Sequence, residues 1–166
     1  MRLSKLTTLL VFAVLSVPAT AQGNLGWSSY DDRTFGYTVD IPGALYSPAE
    51  SSAGSQTYLT SSGEGQLSVF GAPNTEGYTT SQLEQAVRDS GQIPNITYSA
   101  GGERWFVLSG LSRQADGTDL IVYTKFLLNR DRSAFSAFEI SYPADQKARY
   151  NAVVTRIEKS LRAPQL

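Results

Sequence analysis

The sequence predicts an α+β fold, an antiparallel sheet of about six to eight strands flanked by helices in an α/β/α sandwich. Three observations predict it. Between Arg104 and Tyr142, three runs rich in aromatic and β-branched residues follow one another with polar breaks between them, the pattern of consecutive strands. Both sides of these runs are apolar. Ile121, Tyr123 and Leu127 point one way, and Leu120, Val122, Phe126 and Leu128 the other, so the sheet is expected to be covered on both faces. After Tyr142-Pro143 the apolar period becomes helical, with Tyr150, Val153, Val154, Ile157 and Leu161 on one stripe.

Residues 1–21 read as a secretory signal peptide. Arg2 and Lys5 give a positive start, Leu6 to Val17 an apolar stretch, and Ala19-Thr20-Ala21 a small-residue cleavage site before Gln22. The apolar stretch is short for a membrane span, and no second one follows, so no transmembrane segment is expected after cleavage. Residues 22–166 then form one domain in the periplasm or medium. It has no cysteine, so neither a disulfide nor a thiolate nucleophile, and must fold on its core alone.

Gln22 to Asp32, with Trp27 and Tyr30, reads as an ordered lead-in. Tyr37, Val39 and Ile41 alternate with Thr38 and Asp40, a strand stopped by Pro42-Gly43. Ser47 to Ser55 reads as a loose segment. Gln56–Thr60 and Gln66–Phe70 flank a Gly-rich turn and form a hairpin, and Gly71–Gly77 is a loop. A helix starts at Thr80 or Ser81. Ser81 and Glu84 fit a capping box, Leu83, Ala86 and Val87 make the apolar stripe, and Gly91 suits the C-terminal cap. A strand near Ile96–Tyr98 turns through Gly101-Gly102 into the central runs. Pro143 suits the first turn of the last helix, and Pro164 blocks its continuation.

Three of these stretches carry a resemblance. Gly36-Tyr37-Thr38-Val39-Asp40-Ile41-Pro42 resembles a glycine–aromatic strand ending in proline. Trp105-Phe106-Val107-Leu108-Ser109-Gly110 resembles a strand ending in Ser-Gly. Tyr142-Pro143 with Tyr150, Ile157 and Ser160-Leu161 resembles a final strand and helix. Together they are similar to the PsbP-like fold, shared by photosystem II extrinsic proteins, a Ran-binding nucleotide-release factor and small exported bacterial proteins. The resemblance implies an antiparallel sheet between helices. Its motifs specify strand ends and packing. No metal ligand of the photosynthetic proteins and no Ran-binding surface is matched, and a fold does not fix a function.

Chemistry is narrowed by what the composition lacks. There is no histidine, which removes Ser-His-Asp and Cys-His arrangements and imidazole zinc sites. No phosphate loop or dinucleotide fingerprint occurs, so no cofactor is expected. Removing Arg2 and Lys5 takes the cations from 14 to 12 against 15 acids, a formal charge of −3, which gives no basic footprint for nucleic acid. Paired carboxylates remain, at Asp31-Asp32 and at Asp116 and Asp119, though aspartates in such loops commonly shape turns. Arg130-Asp131-Arg132 is the densest charge cluster. A meander places it at the same end of the sheet as the Gly101-Gly102 turn. Arg130 and Arg132 beside the open amides of Gly101 and Gly102 are therefore the candidate site for an anionic group on a ligand or partner. The expected function is an exported, non-catalytic interaction or accessory module with an envelope protein partner. The alternatives are a carboxylate-dependent hydrolase of glycan or cell-wall material, recognisable by two facing carboxylates, and a small-ligand carrier, recognisable by a closed apolar cavity.

Overall fold

The structure, a computed structural model, describes residues 24–165. The signal-peptide expectation for residues 1–21 lies outside them. In chain order come β1 (Trp27–Asp32), β2 (Tyr37–Pro42), β3 (Tyr46–Ser52), β4 (Ser55–Thr60), β5 (Gln66–Pro73), α1 (Thr80–Asp89), β6 (Asn95–Gly101), β7 (Trp105–Arg113), β8 (Asp119–Leu128), β9 (Ala134–Pro143) and α2 (Lys147–Ser160). A single 3-10 turn, Ala144–Gln146, joins β9 to α2, so Pro143 closes the strand rather than opening the helix.

Seven strands form one antiparallel sheet in the order β3-β4-β5-β9-β8-β7-β6. The predicted meander is its right half, β6 to β9. The chain reaches β6 by crossing the sheet through α1, then walks back until β9 pairs with β5. β1 and β2 form a separate hairpin. The fold is α+β, with the helices on opposite faces.

The alternation of side chains builds two cores. On one face Phe138, Ile140, Tyr142, Leu67 and Val69 meet the stripe of α2, whose Tyr150, Val153, Val154, Ile157 and Leu161 are all buried. The β1–β2 hairpin joins this core through Tyr37, Val39 and Ile41. Tyr142 and Tyr150 stack with ring centres 4.3 Å apart. On the other face Phe106, Leu108, Val122, Phe126, Leu128 and Ala137 meet Leu83 of α1 and Ile93. Phe106 and Phe126 stack across the β7–β8 ladder at 4.8 Å.

The structure corrects several sequence expectations. The lead-in is ordered as expected and holds a strand, β1, whereas the segment read as loose, Ser47 to Ser55, contains most of β3. The capping box of α1 lies two residues upstream of the expected pair: Thr79 accepts from the Gln82 amide, and Gln82 Oε1 accepts from the Thr79 amide. Glu84 instead pairs with Arg88 one turn on, at 2.6 Å. Gly91 does adopt the left-handed conformation just past the helix, at φ +72°. The C-terminal residues run back along β2, with the Arg162 amide donating to the Thr38 carbonyl and that of Gln165 to the Phe35 carbonyl. Ser136 on β9 donates to the Arg162 carbonyl at 2.7 Å.

Candidate functional site

α2 packs over β9 and β2, reaches β8 where Glu158 meets Tyr123 and Lys125, and leaves Tyr98 of β6 and Leu111 of β7 exposed on its face of the sheet. The expected two-sided cover therefore holds over β9, is partial over β8, and fails at Leu111 near the end of β7. Strand register puts two rows of side chains on this open floor: Tyr98, Ser109 and Tyr123 in one, Leu111, Ile121 and Tyr142 in the other. One side of α2 forms the wall, through Lys147, Asn151, Val154, Thr155 and Glu158, which recur at helical spacing. The cleft has a volume of about 730 Å³. Tyr98 is 55% exposed and Leu111 38% exposed, large apolar surface that the described residues do not cover.

The polar groups of the cleft are held in place. The Tyr123 hydroxyl donates to Glu158 Oε2 at 2.9 Å, while Lys125 Nζ lies 3.4 Å from Oε1 and donates to the Glu158 carbonyl at 3.2 Å. Lys125 also sits over the Trp105 ring, 5.6 Å from its centre. Burial first, and then the hydrogen bond to Glu158 and its charge, push the Tyr123 phenol far above its ordinary range, so it stays a neutral donor. At the other end Lys147 Nζ donates to Asn151 Oδ1 at 3.1 Å. The cleft thus presents an aromatic and aliphatic floor with a fixed polar rim, an arrangement suited to binding. Its one lining carboxylate, Glu158, is already engaged by a cation and a phenol, whereas carboxylate-pair hydrolysis needs two that face each other.

The other carboxylates of the sequence reading serve local structure. Asp116 Oδ1 accepts from the Thr118 amide at 2.9 Å, which holds its carboxyl below the usual range. Asp119 faces Arg113 at 3.4 Å. Asp32 is buried and accepts from the Phe35 amide at 2.7 Å, closing the β1–β2 turn, while Asp31 is exposed. Among the described residues no group of three or more His, Cys, Asp or Glu side chains could hold a metal ion.

Arg130 and Arg132 are both exposed in the β8–β9 turn. Arg132, at φ +62°, reaches Glu103 beside the Gly101-Gly102 turn at 3.8 Å. The Gly102 amide donates to the Trp105 carbonyl at 2.8 Å and is not open to a ligand. A side chain on Gly102 would collide with the Trp105 indole nitrogen, so the turn has no room for one. This end of the sheet is a tied corner: Asn74 donates to the Arg132 carbonyl, and Thr80 to the Glu103 carbonyl. The cleft lies on the face of the sheet, and its residues were missed by sequence reasoning. The available signal was on α2, where Lys147, Asn151 and Glu158 share one polar side next to the buried stripe.

No family model matches the sequence, and no curated protein is significantly similar to it. Solved structures are similar in fold. Cyanobacterial PsbP (CyanoP) from Synechocystis sp. PCC 6803 aligns with a TM-score of 0.60 at 14% identity, over 82% of this chain and 92% of that one. The fold is PsbP-like. The Ran-binding protein Mog1p of Saccharomyces cerevisiae shares it, with a TM-score of 0.55 at 8% identity over 82% of this chain and 94% of its own. So does PA94 of Pseudomonas aeruginosa, a protein of unknown function, with a TM-score of 0.54 at 12% identity over 84% and 98% of the two chains. In this PsbP-like chain the identities are low enough that the likeness speaks of fold alone.

Proposed function

We propose that the protein is an exported, non-catalytic interaction or accessory module that holds a segment of an envelope protein partner in the cleft beside α2. One observation carries the reading: Tyr98 and Leu111 stand exposed on the floor of a cleft bounded by ordered polar groups. Apolar surface left in water is costly, and covering it favours association. A hydrolase would need a second carboxylate opposite Glu158, and a small-ligand carrier a closed cavity, whereas this cleft is open to solvent and its Tyr98, on β6, is exposed. That the yeast protein of the same fold binds Ran supports protein recognition as a use of such a scaffold. Export rests on the tripartite start of the sequence and predicts a mature N-terminus at Gln22.

The test is affinity capture from the native envelope with the protein as bait. Replacing Tyr98 and Leu111 together by Ser should lower partner recovery at least about tenfold, equivalent to ~1.4 kcal/mol, and leave the melting temperature nearly unchanged. Arg130→Ala with Arg132→Ala probes the corner at the end of the sheet. Recovery lost only in the arginine variant, and more at low salt, would move the site there. Equal recovery by all variants would overturn both placements.

A further inference from the structure

The sheet has two edges, β3 and β6, and they are built differently. β3 carries Pro48 and Glu50, and its register against β4 breaks between Pro48 and Ser51. Proline, charge and irregular pairing are the means by which an edge refuses a further strand. β6, Asn-Ile-Thr-Tyr-Ser-Ala-Gly, has neither proline nor charge. Its register slips once, between Ile96 and Tyr98, and then runs unbroken to Gly101. The Gly102 amide donates to the Trp105 carbonyl. Because an antiparallel ladder alternates, the backbone N–H and C=O groups of Ser99 and Gly101 then point away from β7, out of the sheet. Tyr98 stands beside them on the α2 face, at the mouth of the cleft.

We propose that β6 accepts an extended strand of the partner protein, which lengthens the sheet and closes the open side of the cleft. This rests on the reading of the chain as a binding module and assigns its mode of recognition. The faces of β6 define the chemistry of the strand. Tyr98 and Ala100 pair with Ser109 and Val107 on the α2 face, while Ser99 and Gly101 pair with Leu108 and Phe106 on the opposite one. The added strand carries an aromatic or branched apolar residue beside Tyr98, and small or hydroxyl-bearing residues beside Ser99 and Gly101. A second copy of this chain fits less well. Pairing β6 with itself would engage seven residues a side, an area on the order of several hundred Å² and short of the ~1,200 Å² of a stable interface.

The probe is a display library of short unstructured peptides selected on the protein. Enriched peptides should alternate apolar with small polar residues. Backbone N-methylation of such a peptide at the positions facing β6 should weaken binding about tenfold or more, because each methyl removes a ladder donor. Ser99→Pro should do the same with little loss of stability, since a proline whose nitrogen faces outward is tolerated on an edge. Should that variant fail to fold, the N-methyl comparison on the unaltered protein still decides. Peptides of helical period, no enrichment, or equal binding after N-methylation would overturn strand addition. Binding that needs Tyr98 but ignores both Ser99→Pro and N-methylation would overturn it too, while leaving the cleft as the site. Binding that Ser99→Pro weakens but replacement of Tyr98 and Leu111 does not would keep strand addition and overturn the cleft as the site. A dimer by light scattering that Ser99→Pro dissolves would assign the edge to a second copy and overturn the partner strand.

Discussion

Glu139 shows what a single carboxylate costs when the sheet half-covers it. It stands on the face opposite α2, in a row with Thr124 of β8 and Ser68 of β5, and Thr57 of β4 continues that row. Burial raises its carboxyl above the ordinary value. The folded state therefore holds this proton more tightly than the unfolded chain does. The sign follows from linkage: the unfolded chain releases the proton first, so stability falls as pH rises from the ordinary carboxylate value through the raised one. Glu139→Gln should be more stable than the parent at neutral pH and should lose this part of the fall. Urea unfolding on both sides of the carboxylate range checks it, and parallel pH profiles would refute it. Ile157 gives a sharper contrast. It is fully buried, so Ile157→Asp should cost about 3–5 kcal/mol through lost packing and a buried charge. Thr155→Asp, two residues away and exposed, should stay within about 0.5 kcal/mol. Melting temperatures of the pair separate the two faces of α2.

At the scale of elements, α2 was legible because five bulky residues recur at helical spacing and all five are buried. β8 and β9 were legible because their residues are β-branched or aromatic on both sides. β3 was not: after Tyr46 every residue is exposed, so its sequence records no buried face, and only pairing with β4 makes it a strand. β1 hides for the same reason, since its sole buried residue is Asp32, which is polar. The α1 cap was misplaced because Ser81-Gln82-Leu83-Glu84 and Thr79-Thr80-Ser81-Gln82 fit one pattern, and the entry of the chain from Asn74 and Tyr78 selects the earlier. At Gly110 the pairing of two strands depends on the lack of a side chain. Any Cβ there would meet the Asn95 carbonyl oxygen and the Ile93 side chain. Gly110→Ala should push β6 off β7 at a cost of about 1–3 kcal/mol. Faster amide exchange in β6 than in β8 and β9 would locate the damage, and unaltered exchange in β6 would disprove it.

At the scale of the molecule, the candidate site was illegible because no one segment encodes it. The cleft exists where α2 stops short of covering Tyr98 and Leu111, and that offset is set by its packing on β9 and β2. The Arg130–Arg132 corner was visible by contrast, because a meander fixes which turns share an end. The same molecule is closed by its last residues. Arg162 and Gln165 bond along β2, and a side chain on Gly36 would crowd the Gln165 carbonyl, so the two segments lie in close contact. Deleting residues 162–166 should quicken amide exchange throughout β1 and β2 while β7 to β9 keep their protection. Uniform exchange in the shortened protein would show that the hairpin is held without them. The β1–β2 hairpin is therefore sealed in part by residues that lie far from it in sequence, beyond α2. Until α2 is in place Tyr37, Val39 and Ile41 have no helix to shelter under, so the early part of the chain cannot complete its own core.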